Sequence, residues 1–280
     1  MIGPEEANAA VGDLAHSPRH SIKRTTAATG AAGPTDTLPI VRTLVVEHDP
    51  LSTSERVGAH LEKRGARLES FVVVEDIEDP SVGNVFPDDV YDLVVLMGSP
   101  WSVYEDRVQG WVQPELTFIQ RRVEAGRPLL GICFGAQALS ASLGGSVRHS
   151  SRPEYGWTEI APSTDHIAAG PWFQFHHDEF TLPPQAIELA RNESGVQAFR
   201  TSRALATQFH PEMTGDLLAS WCEIEDGVRE LVDAGHDPAL LIEESRAREI
   251  ESQPALEAML DWFLDEVAGN GVAARAGTPQ

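Results

Sequence analysis

Short apolar runs alternate with amphipathic stretches through the first two thirds of the chain. Residues 41–46 (VRTLVV) are apolar and rich in β-branched side chains, and they run into Glu47-His-Asp-Pro50; this reads as a strand ending in a turn. Ser52 or Ser54 then caps a helix through about Arg64, closed by Gly65. Residues 68–74 predict a second strand, and the acidic, Pro- and Gly-containing stretch 75–87 a loop. Residues 91–97 (YDLVVLM) predict a third strand, apolar enough to be buried on both faces. The loop 98–106 (GSPWSVYED) leads to a helix from about Trp111 to Glu124, ended by Gly126-Arg-Pro128. The apolar run 128–132 is the fourth strand. From about Phe134, apolar residues at Ala138, Leu139 and Leu143 have helical spacing, and Gly144 and Gly145 close that helix. Such alternation predicts an α/β fold, a mostly parallel central sheet with helices on both faces. Ligands of such sheets gather at the C-terminal ends of strands. Cys133 and the loop that begins at Gly98 both lie at such ends.

The pattern changes after Gly145. Aromatic and polar residues alternate over 147–180, which predicts a small antiparallel extension of shorter strands. Residues 187–191 and 196–201 are strand-like around a turn at 192–195. Residues 204–209 form another strand, ending at His210-Pro-Glu212. The stretch 214–268 is helical and acidic, with apolar positions that include Leu217, Trp221, Leu231, Leu241, Leu256, Met259, Leu260, Phe263 and Leu264. Residues 1–39 show neither periodicity and read as a disordered extension. The organisation expected is an extension (1–39), one principal domain (40–221), C-terminal helices packing on that domain (222–268) and a flexible tail (269–280). The helices complete the core or offer a docking surface.

Composition narrows the chemistry. The sequence has 280 residues, 41% of them apolar and 23% charged, as in an ordinary globular protein. With 21 basic against 43 acidic residues the net charge is −22, which disfavours nucleic acid and anionic membranes as partners. No 18-residue apolar run is present, so no membrane span is expected. Residues 1–6 (MIGPEE) do not open a signal peptide. The two cysteines, Cys133 and Cys222, form no disulfide framework and suit a cytoplasmic location. No His/Cys/Asp cluster has metal-ligand spacing, and no Gly-x-x-x-x-Gly-Lys phosphate loop occurs, so no metal or other cofactor is expected.

Cys133 stands at the strand-to-helix corner between Gly131 and Gly135, the cysteine counterpart of a nucleophile elbow. Flanking glycines permit the sharp turn and close backbone approach. A sulfur at a helix N-terminus meets unpaired N–H groups and the positive dipole end, a setting that favours a thiolate. The plain alternative is a small cysteine packed in a corner. A nucleophile needs a base, and the base an orienting partner. His210 and Glu212, two apart at the end of the 204–209 strand, supply both, because residues i and i+2 of a strand share a face. Most of the ten histidines are expected to be solvated or structurally bonded; His210 stands out by its company.

With these blocks in view, residues 41–221 resemble the class I glutamine amidotransferase family, in the branch similar to the glutaminase part of GMP synthase. The resemblance rests on GICFGAQ (131–137), His210-Pro-Glu212, GSPWSVY (98–104), and HHDEFTLP (176–183) with QAFR (197–200). It implies a flavodoxin-like fold and a Cys133–His210–Glu212 triad acting on the side-chain amide of glutamine through a γ-glutamyl thioester. It further implies backbone N–H groups of Ser99 and Phe134 as oxyanion donors. Gly98, Gln137, His177 and Asp178 would contact the substrate, and a separate synthetase would take up the ammonia. Two positions depart from the family pattern. Ser99 replaces a second glycine, which restricts the oxyanion loop. His177 stands where a small residue is usual, which reshapes the pocket rim. Two other readings share these residues: a free-standing γ-glutamyl hydrolase or peptidase with the same triad, and a non-catalytic interaction subunit that keeps the fold. Cys222, Trp101, Trp111 and Trp172 are expected to pack, with Trp101 beside the oxyanion loop.

Overall fold

A computed structural model describes residues 41–269. The expected extension over 1–39 lies outside the described residues, as does the tail apart from Gly269.

The strands are β1 (Val41–Glu47), β2 (Ala66–Val72), β3 (Leu93–Leu96), β4 (Leu129–Ile132), β5 (Val147–Thr158), β6 (Ala161–Pro162), β7 (Trp172–Phe180), β8 (Ile187–Asn192), β9 (Gly195–Thr201) and β10 (Ala204–Thr207). The helices are α1 (Glu55–Lys63), α2 (Gln109–Glu124), α3 (Phe134–Ser142), α4 (Gly215–Trp221), α5 (Glu225–Asp233) and α6 (Pro238–Trp262), the last continued by a π-turn, Phe263–Val267. Eight strands form one sheet in the order β2-β1-β3-β4-β10-β9-β8-β6. Its first five strands are parallel neighbours, and β9, β8 and β6 extend it antiparallel. β5 and β7 form a separate two-stranded ribbon.

The alternation of side chains sorts the core on the large sheet into two layers, and a third cluster of Phe173, Met213, Leu217, Leu218, Leu231 and Leu241 joins β7 to the C-terminal helices. Leu44, Val46, Val94, Leu96, Leu129, Ala204 and Ala206 pack with Trp111, Val112 and Ile119 of α2 and Phe134, Ala138 and Leu139 of α3. Their neighbours Val45, Leu93, Val95, Leu130, Ile132 and Leu205 pack with Val57 and Leu61 of α1. On that second face Leu256, Met259, Leu260, Phe263, Leu264 and Val267 form the stripe that seats the C-terminal end of α6 and its π-turn. Each such burial contributes about 2 kcal/mol, enough to hold an acidic helix whose other face is wet.

Several expectations shift in detail. The third strand begins at Leu93 and not at Tyr91, because Arg122 takes the Tyr91 carbonyl through both Nη atoms, each at 3.2 Å. The β5–β7 ribbon is long, with strands of 12 and 9 residues where short ones were expected; its register breaks between His149 and Glu154. β10 ends at Thr207, and the chain then changes partner, His210 N–H donating to Phe173 O at 2.8 Å. The helical stretch after Thr214 divides in three. The Thr214 side chain caps α4 and the Asp237 side chain caps α6, while Gly235, at φ 86°, turns the chain between α5 and α6. Ser54 holds the N-cap position of α1 without a side-chain bond, and Ser52 Oγ donates to Asp49 instead.

Candidate active site

The turn from β4 into α3 places Cys133 at φ 50°, ψ −105°. Non-glycine residues rarely adopt a positive φ, and such strain gathers where a side chain must be aimed. The turn is held by Cys133 N–H donating to Thr207 O at 2.8 Å and by Gly135 N–H donating to Met97 O at 3.2 Å. The flanking glycines are required sterically. A Cβ on Gly131 would lie 2.6 Å from Gly135 O, and one on Gly135 would lie 2.4 Å from Leu96 O. Cys133 is also the N-cap of α3 and makes no side-chain cap bond. The N–H of Phe134, first residue of the helix, has no carbonyl a turn earlier to bond.

His210 faces this corner from the crossover after β10. Its Nδ1 lies 2.7 Å from Glu212 Oε1, and since a carboxylate accepts, Nδ1 carries the hydrogen. Its Nε2 is buried with no protein hydrogen-bond partner, as is Glu212 Oε2. Burial alone would drive the imidazolium toward neutrality; the Glu212 carboxylate and the Cys133 sulfur outweigh it and push His210 up to about 10. The expectation that His210 and Glu212 share a strand face is corrected: His210 makes an isolated bridge to Phe173, and Pro211 and Glu212 form a turn. The turn bends the carboxylate onto the ring. Trp221 closes over the imidazole, ring centroids 5.2 Å apart, and its Nε1–H donates to Leu51 O at 3.0 Å.

The loop after β3 meets both groups. A Cβ on Gly98 would lie 3.1 Å from His210 Cε1 and 3.9 Å from Cys133 Cβ, so Gly98 lies directly against the pair. Farther along, Ser102 Oγ lies 3.3 Å from His177 Nε2, and Tyr104 OH donates to Asp178 Oδ1 at 2.7 Å, which ties the loop to β7. Asp178 is buried, while His177 is half-buried and stacks on His149. Contact with Glu230, 3.9 Å away, and the charge of Asp178 raise His177 against the opposing effect of burial. Gln137 is buried behind the sulfur. Its Nε2 donates to Gln208 Oε1 at 3.3 Å, and Gln208 Nε2 lies 3.6 Å from Cys133 Sγ. Thus Gly98, Cys133, His210 and Glu212 lie together, Gln137 is linked to the sulfur through Gln208, and His177 and Asp178 of β7 are tied to the loop that starts at Gly98. The surface clefts at Phe118 and Arg121 and at His166 and Trp262 lie elsewhere.

Four neighbours escaped the sequence reading: Gln208, Trp221, His48 and Glu115. Gln208 carried a signal, being two residues before His210. His48 is in the turn after β1, and Glu115 is in the buried stripe of α2 with Trp111, Val112 and Ile119. A carboxylate at an apolar helical position was the available clue. Cys222 is half-buried in the C-cap of α4, and burial raises its thiol. Among the described residues no group of three or more His, Cys, Asp or Glu could hold a metal ion, and no helix is long and apolar enough to cross a membrane.

A family model described as glutamine amidotransferase class-I matches residues 51–219. The chain is 34% identical to a GMP synthase (glutamine-hydrolysing) of Aromatoleum aromaticum over 168 residues, 51% of this chain and 30% of that one. It is 35% identical to its counterpart in Thermotoga petrophila over 167 residues, 50% of this chain and 31% of that one. The chain thus spans under a third of the length of these curated relatives. Among solved structures, a glutamine amidotransferase of Thermotoga maritima superposes with a TM-score of 0.69 at 26% identity, covering 81% of this chain and 99% of the other. A second, from Methylobacillus flagellatus, shares the fold with a TM-score of 0.67 at 22% identity, covering 82% and 96%.

Proposed function

This chain belongs to the glutamine amidotransferase class-I family, and on that footing we propose that it hydrolyses the side-chain amide of glutamine through a γ-glutamyl thioester on Cys133. The observation that carries the reading is the open, buried Nε2 of His210 beside the strained Cys133, with Nδ1 already committed to Glu212. A ring held this way has one nitrogen left for proton transfer, and it faces the sulfur.

The Cys133 thiolate attacks the amide carbon, the carbonyl π pair moves to oxygen, and the N–H groups of Ser99 and Phe134 meet the negative charge. His210 gives its Nε2 proton to the nitrogen, the C–N bond breaks, and ammonia leaves. Neutral His210 then takes a proton from water as the oxygen attacks the thioester carbon. The second tetrahedral species expels the thiolate and leaves glutamate, so glutamine and water become glutamate and ammonia. Glu212 keeps the hydrogen on Nδ1 and supports the imidazolium. Gln137 reaches the amino-acid end of the substrate by exchanging its bond to Gln208, and the backbone at His177 and Asp178 borders that end. The ammonia passes to a separate synthetase subunit, as the relatives named GMP synthase suggest.

The test is ammonia release from glutamine, with and without a candidate synthetase, against hydrolysis of γ-glutamyl dipeptides. Faster turnover of glutamine supports the reading. A preference for the dipeptides would overturn it in favour of a free-standing γ-glutamyl hydrolase, and an inert Cys133 in favour of an interaction subunit.

A further inference from the structure

A second imidazole–carboxylate pair lies behind the Gly98 loop, and the steps above do not use it. His48 and Glu115 have no exposed side-chain surface. His48 Nε2 lies 3.0 and 3.2 Å from the two Glu115 oxygens, and its Nδ1 lies 2.9 Å from Gly98 O. A carbonyl can only accept, so Nδ1 must carry a hydrogen whatever the charge of the pair. Both ring nitrogens are bonded, one to a carboxylate and one to a backbone carbonyl, so neither is aimed at the sulfur.

What the pair does is fix a peptide plane. The Gly98–Ser99 bond is trans, so Gly98 C=O and Ser99 N–H point in opposite directions. The carbonyl is drawn to His48, whose ring packs against Phe134 at 4.4 Å and Trp111 at 5.8 Å, on the α2–α3 side of the sheet. Cys133 belongs to the core on the opposite side. Ser99 N–H is therefore turned away from His48, to the side of the sheet on which Cys133 lies. A flipped peptide would aim a carbonyl at the developing oxyanion and leave the Nδ1–H of His48 without a partner in a dry interior, which is costly. The same ring buttresses Phe134, whose own N–H is the other donor. We propose that the buried His48–Glu115 pair positions the Gly98–Ser99 peptide with its N–H facing Cys133, so that the oxyanion hole is set before substrate arrives in a loop that carries Ser99 instead of a second glycine.

The inference rests on the hydrolase reading, and its test separates the two. Removing both partners together avoids stranding one of them, and paired apolar replacements of this kind are often tolerated. In the full-length protein, His48→Phe/Glu115→Leu should lower kcat for glutamine about 100-fold, the size of losing one oxyanion donor, with KM within about threefold. Alkylation of Cys133 by iodoacetamide develops no oxyanion, so its rate should stay within about threefold of wild type. Glu115→Gln keeps an acceptor or donor for Nε2 and lets Nδ1–H remain on Gly98 O; it should retain most of the wild-type activity. A crystal structure of the double variant, or of His48→Phe if only that folds, should show the Gly98 carbonyl released from its present direction. Unchanged hydrolysis, an unmoved peptide, or hydrolysis and alkylation falling together would overturn the proposal. A wild-type protein that alkylates at Cys133 yet hydrolyses no γ-glutamyl amide would remove the hydrolase reading itself, and this inference with it.

Discussion

Gly98 lies between two buried histidines, each bonded to a carboxylate, and the two pairs are bonded differently. His210 and Glu212 are two residues apart and meet through a turn; one ring nitrogen is bonded and the other is open beside Cys133. His48 and Glu115 are 67 residues apart and meet across the core; both ring nitrogens are bonded, one of them to the loop's own backbone. Burial and a carboxylate partner are common to both, and both imidazoles are raised by that partner against the opposing effect of burial. The difference lies in the free nitrogen. An imidazole whose second edge faces a nucleophile can exchange protons with it, whereas one bonded to a buried carboxylate and a backbone carbonyl is placed to hold geometry. A shifted histidine is thus a candidate for chemistry only after its hydrogen bonds are counted.

The contrast can be broken in order of expected effect. Cys133→Ala should abolish ammonia release from glutamine, at least about 10⁴-fold, with the fold retained by circular dichroism. Glu212→Gln lets Nδ1 of His210 lose its hydrogen, and kcat should fall about 10³-fold, more than for the double substitution at positions 48 and 115. If the two losses were equal, the distinction between proton carrier and positioner would be lost. His177→Ala, on the rim, should raise KM severalfold with kcat changed less, as expected for a group that borders the substrate without touching the reacting bond.

Stability against pH sharpens the same comparison more gently. His210 is raised from 6.5 to about 10 in the folded chain. A raised imidazole stabilises the fold fully below the unfolded value of about 6.5, and the contribution fades as pH climbs through the folded value. Denaturation of the wild type at intervals from pH 6 to about 10 should therefore show a falling contribution that Cys133→Ala diminishes, because the sulfur is one of the groups holding the ring charged.

Much of this arrangement was readable from short patterns. Alternating apolar strands and capped helices outline the parallel sheet, and Gly131, Cys133 and Gly135 announce the elbow because no residue but glycine fits where a Cβ would meet Gly135 O or Leu96 O. His210 and Glu212 were legible as a local pair. Their contact, however, comes from the crossover onto Phe173, which no strand periodicity contains. The long β5–β7 ribbon was hidden because its bulge breaks the two-residue alternation between His149 and Glu154. His48 and Glu115 were illegible for a different reason. Each is an ordinary polar residue in its local sequence, and only the core layer shared by Leu44 and Val46 of β1 with Trp111 and Val112 of α2 brings them together.

The most direct measurement is acid-quenched mass spectrometry of the wild-type chain mixed with glutamine. A γ-glutamyl group is expected on the peptide carrying Cys133, formed and lost at rates matching ammonia release. Ammonia released at the same rate by Cys133→Ala, or turnover with no adduct on that cysteine at any time point, would contradict the account.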